Sequence, residues 1–245
     1  MNFDQQSFVI TGGSGGIGKA TAMRIHGGGG TVLATGTNAD KLATLPNNNR
    51  MRTLVNDAAD PGAAETLAEH ASKLGKLDGV FLNAGYGEMT PLSDLTAEKF
   101  DRQYAVNVRG VLLHARHLAP LIKEGGSILI TASVAQWLGM EGGALYNSTK
   151  GAIRTAARCL AAELAGSGVR VNCVSPGPIE TDFFERTGTS GDDAEKMAEG
   201  IKSMVPMGRF GTADEVAAVA AFMLSKDASY INAADFVVDG GMVGV

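Results

Sequence analysis

The sequence predicts an α/β fold: a single Rossmann-like, doubly wound parallel sheet of about seven strands, with helices on both faces. Three observations predict it. Short β-rich runs alternate with helical segments from one end of the chain to the other. The β-rich runs are almost continuously apolar, as strands are when both of their faces are covered. A glycine-rich loop joins the first strand to the first helix.

In chain order the strands are "SFVIT" (7–11), "TVLAT" (31–35), "MRTLV" (51–55), "LDGVFLN" (77–83), "SILIT" (127–131), "VRVNCV" (169–174) and "DFVVD" (235–239). Between them lie alanine-rich or amphipathic segments of helical period, such as "AAETLAEHASKL" and "TADEVAAVAAFMLS". A further helix starts near Asn38. No repeat, charge block or linker divides the chain, so residues 1–245 are expected to form one dinucleotide-binding and catalytic domain. The longest irregular stretch, about 176 to 211, carries Pro176, Pro178, Gly188, Gly191, Pro206 and Gly208. Long excursions of this kind serve as lids or binding loops, and residues 182–210 are expected to be a substrate lid.

With 44% hydrophobic and 19% charged residues, the composition is that of a soluble globular protein. A net charge of -5 argues against nucleic acid or an anionic membrane as partner. No apolar run approaches the ~18 residues of a membrane span. "MNFDQQSFVI" has no basic leader region, and the cytoplasm is the expected compartment. Cys159 and Cys173 have neither ligand nor framework spacing, and they read as buried thiols kept reduced. His114 and His117 share a helix but lack an H-E-x-x-H context, so no metal is expected.

"VITGGSGGIGKA" places Gly12, Gly16 and Gly18 where a tight turn and a close approach to a pyrophosphate would need them. The phosphates would sit at the positive end of the helix that follows. Gly13, Gly15 and Gly18 satisfy G-x-G-x-x-G as well. A strand before and a helix after make the loop a dinucleotide-binding element. By contrast, "HGGGGT" (26–31) joins a helix to a strand and reads as a connection, with Gly27 as helix cap.

In "ALYNSTKGAI", Tyr146 stands four residues before Lys150, on one helix face. A phenol titrates near pH ~10, and a cation within ~4–6 Å lowers an acid's pKa by about 1–3 units. A phenol brought toward neutrality can give a proton to a carbonyl oxygen or take one from an alcohol.

"TGGSGGIG" (11–18), "LNAG" (82–85), "NV" (107–108), "ITAS" (130–133), "YNSTK" (146–150) and "PGPIET" (176–181) occur in this order. Together they resemble the short-chain dehydrogenase/reductase family, and the resemblance spans the whole chain. It implies an NAD(P)-dependent oxidoreductase that interconverts a ketone or aldehyde and an alcohol on a small molecule. It implies Asn107, Ser133, Tyr146 and Lys150 as catalytic residues. Ser133 would hydrogen-bond the substrate oxygen, Lys150 would also bind the nicotinamide ribose, and Asn107 would hold a water that relays the proton. The positive ring of the oxidised nicotinamide would lower the phenol further. The implied cofactor contacts are Gly12, Ser14, Gly16, Ile17, Gly18, Thr37, Asp57, Asn83, Tyr146, Lys150, Pro176, Gly177 and Thr181. Asp57 matches the family's adenine-binding aspartate, although the valine expected after it is Ala58 here. Trp137, Met140, Phe183 and Phe184 flank the reactive end, as pocket lining or as core.

Gly36 stands where an NAD-preferring site ends its second strand with an acid, and the next acid, Asp40, falls within a helix. The arginines common in NADP-using relatives are missing too, with Gly15 and Thr37 at those positions. Ser14, Thr35, Thr37, Asn38 and Lys41 remain as donors for a 2′-phosphate. NADP is therefore the expected cofactor, with NAD as the alternative. Chain length and "PMGRFG" (206–211) resemble the 3-oxoacyl carrier-protein reductase branch. Ser127, Ser167 and Gly168 stand where carrier-docking arginines belong, although Arg170 is nearby, and this favours a small free substrate. A non-catalytic dinucleotide sensor is the reading from a different class, but it would leave a gap in the four catalytic positions. The resemblance also implies a homotetramer, paired through helices near 98–123 and 146–165 and through "FVVDGGMVGV".

Overall fold

The computed structural model of the chain describes residues 1–180 and 192–245. Its main sheet contains β1 (Ser7–Thr11), β2 (Thr31–Gly36), β3 (Met51–Val55), β4 (Leu77–Leu82), β5 (Ile122–Thr131), β6 (Arg170–Pro176) and β9 (Asp235–Val238). The order is β3-β2-β1-β4-β5-β6-β9, and every pairing is parallel. All seven predicted strands are present. A small second sheet pairs β7 (Ile179–Glu180) with β8 (Gly211–Thr212). Two residues per strand carry no readable alternation, and this pairing has no signature in the sequence.

The continuous apolar runs divide between two cores. Phe8, Ile10, Phe81, Leu129 and Val174 pack with α1 (Gly16–Gly27) and α8 (Ala213–Leu224) on one face. Val9, Val80, Leu82, Ile128 and Ile130 pack on the other with α3 (Ala63–Ser72), α5 (Val111–Leu118) and α6 (Ala144–Leu164). Successive strand residues point to opposite faces, and each buried side chain contributes about 1.5–3 kcal/mol. Both faces are thereby closed. Strand order reverses between β1 and β4, and in sheets of this type the crevice at the carboxyl ends of the strands opens at that point.

The remaining helices are α2 (Ala39–Ala43), α4 (Ala97–Tyr104) and α7 (Asp192–Ser203). The helix expected over 98–123 is interrupted. A π-helical turn, Ala105–Gly110, separates α4 from α5, and the helix ends at Leu118, ahead of a 3₁₀ turn containing Pro120. Gly110 lies so close to the neighbouring chain that a Cβ there would stand 2.3 Å from the carbonyl oxygen of Ala58.

Two expectations need correction. α1 continues through Gly27, its cap is Gly28, and the left-handed residue is Gly29 at φ +96°. Cys159 is exposed on α6, and only Cys173 is buried. Of the expected lid, 182–191 lies outside the described residues, while 192–203 forms α7. Among the described residues, no helix is long and apolar enough to cross a membrane.

Candidate active site

The loop after β1 shows which of its glycines are required. Gly12 and Gly16 have φ of +65° and +49°, a region that L side chains enter at a cost. Gly18 is required for space, since a Cβ there would stand 2.2 Å from the Gly12 oxygen. Gly15 has extended backbone and open surroundings. The T-G-x-x-x-G-x-G pattern is therefore the one the geometry needs. Ile17 packs against the core. α1 opens with no side-chain cap and no acidic residue in its first turn. Its unpaired N–H groups suit an anionic ligand, so the loop fits a dinucleotide's pyrophosphate.

Asn83, just past β4, ties three strand ends together. Its backbone N–H and that of Ala84 donate to Thr11 Oγ1, both at 3.0 Å. Its Nδ2 lies 3.3 Å from the carbonyl oxygens of Thr11 and Gly12. Its Oδ1 accepts from Thr131 Oγ1 at 3.1 Å.

Beyond β5, Ser133 caps a 3₁₀ turn, with Oγ accepting from the Ala135 N–H at 3.1 Å. Tyr146 and Lys150 stand on the first turns of α6, with Ser133 near enough to the Tyr146 phenol to affect its titration. Lys150 is 5% exposed. Its Nζ donates to the Thr131 carbonyl at 3.1 Å and lies 5.7 Å from the centre of the Tyr146 ring. A side chain at Gly85 would begin 3.6 Å from Lys150 Nζ and 3.7 Å from Asn107 Oδ1. Elements distant in sequence thus bring Asn107, Ser133, Tyr146 and Lys150 together.

The protonation pattern differs from the expected one. Burial raises the Tyr146 phenol above its usual 10, and Ser133 opposes the shift only in part. Burial lowers Lys150 to about 8. Cys173 beside it is pushed up to about 12, first by burial and then by Asp235. At pH 7 that thiol is neutral and lends Lys150 no countercharge. The reason for the correction is desolvation: Lys150 is buried and Tyr146 half-buried, and each shifts toward its neutral form.

Asn107, 1% exposed, sits within the π-helical turn. Its Nδ2 donates to the Tyr86 carbonyl at 2.7 Å and to Thr149 Oγ1 at 3.0 Å, while its Oδ1 accepts from the Tyr86 N–H at 2.8 Å. Both amide hydrogens are engaged inside the protein, so the side chain has no donor for the expected water. Tyr86 and Thr149 were not singled out from the sequence. Thr149 lies within "YNSTK", and a hydroxyl next to the lysine was the available signal. The Tyr86 ring lies under the Arg102 guanidinium at 4.4 Å, and its hydroxyl donates to Glu88, which pairs with Lys99 at 3.4 Å.

The other end of the crevice is formed at β2. A Cβ on Gly36 would stand 2.4 Å from Ser14 Oγ and 2.8 Å from Ser14 Cβ, so Ser14 covers this strand end. Thr37 is exposed and Thr35 is buried. Asn38 Oδ1 accepts from the Lys41 N–H at 2.9 Å and caps α2. Asp57, exposed after β3, accepts from the Ala59 N–H at 2.9 Å, which makes it at least a turn former. Pro176 ends β6, and the Gly177 N–H donates to the Val238 carbonyl at 2.9 Å. Trp137 and Met140 are exposed near Tyr146 in the chain, not in the core. Thr181, Phe183 and Phe184 lie outside the described residues. Ser127 and Arg170 are buried, and Arg170 donates to the carbonyls of Met223 (3.0 Å), Ser225 (3.1 Å) and Ile231 (3.3 Å).

A family model described as enoyl-(acyl carrier protein) reductase matches residues 12–243. The chain is 34% identical to levodione reductase of Leifsonia aquatica, over 98% of this chain and 94% of that protein. It is 35% identical to meso-2,3-butanediol dehydrogenase of Serratia marcescens, over 98% and 96% respectively. A short-chain dehydrogenase from Burkholderia cenocepacia J2315, solved in complex with NADP, superposes with a TM-score of 0.88 at 30% identity, covering 99% of both chains.

The buried Lys150 gives a signed expectation for stability against pH. Its folded pKa of about 8 lies below the ordinary 10.5, so the unfolded chain binds the proton more tightly. The destabilisation is complete below about pH 8 and is relieved as pH rises toward 10.5. Lys150→Met should therefore stabilise the cofactor-free protein at pH 7, by about 3 kcal/mol less the cost of leaving the Thr131 carbonyl without Lys150. The gain in Tm should shrink between pH 8 and 10.5. A Met variant that melts below the parent at pH 7 would contradict this.

Proposed function

The chain belongs to the short-chain dehydrogenase/reductase family, the NAD(P)-dependent oxidoreductases of alcohol and carbonyl groups, and from that premise we propose that Tyr146 is its acid/base. The supporting observation is the convergence of Ser133, Tyr146, Lys150 and Asn107 beside the glycine loop. When bound, the nicotinamide cofactor exchanges a hydride with the substrate carbon. The Tyr146 phenol gives its proton to the carbonyl oxygen in reduction and recovers it in oxidation. Ser133 donates a hydrogen bond to the same oxygen while charge develops there. The Lys150 ammonium favours the phenolate once the proton has left. With burial holding the phenol above its usual 10, Tyr146 carries its proton in the cofactor-free protein at neutral pH. Residues 1–245 act as one domain in this reading.

NADP is the cofactor this reading selects. Gly12, Gly16 and Gly18 would admit the pyrophosphate. Ser14 and Thr37 would meet the 2′-phosphate at a strand end that carries no acid. Asp57, Asn83, Pro176, Gly177 and Thr181 complete the contacts. The solved relative that holds NADP supports the choice. The substrate is a small free ketone or alcohol, in keeping with relatives that act on levodione and butanediol. Arg170 is spent on three carbonyls and Ser127 is buried, which weighs against docking a carrier protein. The intact set of four residues weighs against a non-catalytic sensor.

We place the protein in the cytoplasm as a homotetramer. An open groove of about 470 Å³ runs along α4 and α5, lined by Tyr104, Val108, Leu112 and Leu113. Phe100 and Leu112 are exposed nearby. Gly151 on α6 has open space beside it, and β9 ends the sheet with an open edge.

Tyr146→Phe should lower kcat by about 10²–10⁴-fold and leave the cofactor Kd nearly unchanged. Substantial residual turnover, followed by NADPH absorbance with a panel of ketones, would refute the mechanism. NADPH should give the higher kcat/KM, and a preference for NADH of about tenfold or more would reverse the cofactor assignment. Gly36→Asp alone should impair both cofactors, because its Cβ collides with Ser14. Combined with Ser14→Gly, it should turn the preference toward NADH through repulsion of a phosphate carrying about -1.5 to -2 charges. Light scattering at micromolar concentration should report four chains per particle, and a stable monomer would exclude the tetramer.

A further inference from the structure

Thr149 stands between Tyr146 and Lys150 in α6 and is 0% exposed. None of the roles above needs it. Its hydroxyl donates to the Tyr146 carbonyl at 2.7 Å, and because a carbonyl can only accept, the hydroxyl proton is committed. The same oxygen accepts from Asn107 Nδ2 at 3.0 Å. The rest of that amide is closed by the N–H and C=O of Tyr86. Exchanging the amide's oxygen and nitrogen would set a donor against the Tyr86 N–H and an acceptor against the Tyr86 carbonyl. Only one orientation satisfies every group.

We propose that Thr149 is a positioning residue: its hydroxyl fixes the Asn107 amide, and through it the segment 84–86, relative to Tyr146. This rests on the reading of Tyr146 as acid/base. The π-helical turn brings Asn107 within reach, and turns of this kind recur at functional sites. Without the hydroxyl, one Asn107 N–H is buried and unpaired, which is costly. It regains a partner only by rotating, and rotation breaks the bonds to Tyr86. Segment 84–86 then loosens around Gly85, where a Cβ would stand 3.6 Å from Lys150 Nζ and 3.7 Å from Asn107 Oδ1.

The competing explanation is a simple stitch between two helices, and the neighbouring residue separates the two ideas. Ser148 Oγ accepts from the Tyr104 hydroxyl at 3.1 Å and donates to the Leu145 carbonyl at 2.7 Å. It joins the same pair of helical segments, one residue away on the exposed side, without touching Asn107.

The test compares Thr149→Val, Thr149→Ser, Ser148→Ala and Tyr146→Phe in the full chain. The probes are NADPH with 2,3-butanedione or cyclohexane-1,4-dione, NADPH fluorescence for cofactor Kd, and hydrogen exchange across 84–88. Thr149→Val should lower kcat about tenfold, leave the cofactor Kd almost unchanged, and speed exchange at the Tyr86 amide. Thr149→Ser should restore both, and Ser148→Ala should change neither. Parent-like turnover and exchange in Thr149→Val would overturn the proposal, as would an equal loss in Ser148→Ala or no rescue by serine. Turnover in Tyr146→Phe would sink the acid/base reading instead, while the exchange result still decides the role of Thr149.

Discussion

A parallel sheet that reverses its strand order leaves polar backbone at the reversal, and the site is assembled from the groups that satisfy it. In such a crevice a buried, unpaired carbonyl or N–H costs as much as a lost hydrogen bond. Thr11 and Asn83 close the gap between β1 and β4, and Thr131 links it to β5. The end of β5 is met by Lys150 Nζ on the Thr131 carbonyl. The residues that complete the sheet are thus in contact with those that would perform the chemistry. Substituting Asn83 would disturb three strand ends at once.

The same constraint explains which glycines matter. The Gly12 carbonyl is turned toward both Asn83 Nδ2 and the place where a Gly18 side chain would stand. A left-handed Gly12 is what directs it there. One backbone rotation therefore links the loop to β4 and holds α1 close to β1. The first turn of α1, free of any side-chain cap, is left facing the crevice.

Much of this was legible in the sequence, because strands covered on both faces must be apolar and because glycine is forced where a Cβ cannot fit. The strands, the loop and the four convergent residues could all be read from one chain. What could not be read depends on partners distant in sequence. The π-helical turn at 105–110 leaves no hydrophobic signature, since its neighbours remain helical. The engagement of Asn107 with Tyr86 and Thr149 needed the distances. Cys159 departs from the usual burial of cysteine because it lies on the exposed side of α6. The Ser14–Gly36 contact could not be foreseen either, since motif spacing does not say how a loop folds back on a strand.

Tyr146 and Lys150 share one poorly solvated corner of the crevice. In water a phenol and an ammonium lose their protons at almost the same pH. Here burial moves them in opposite directions, the phenol above 10 and the ammonium to about 8. On raising the pH of the cofactor-free protein, Lys150 therefore loses its proton first. By then it can no longer help Tyr146 to ionise. A hydroxyl-bearing group that reaches Lys150 and accepts from its ammonium would hold it charged to higher pH, and that charge would favour the phenolate beside it. Acid/base competence would then depend on occupancy of the crevice. Desolvation disfavours both charges in the empty site, and the same desolvation strengthens each charge interaction once a ligand supplies one.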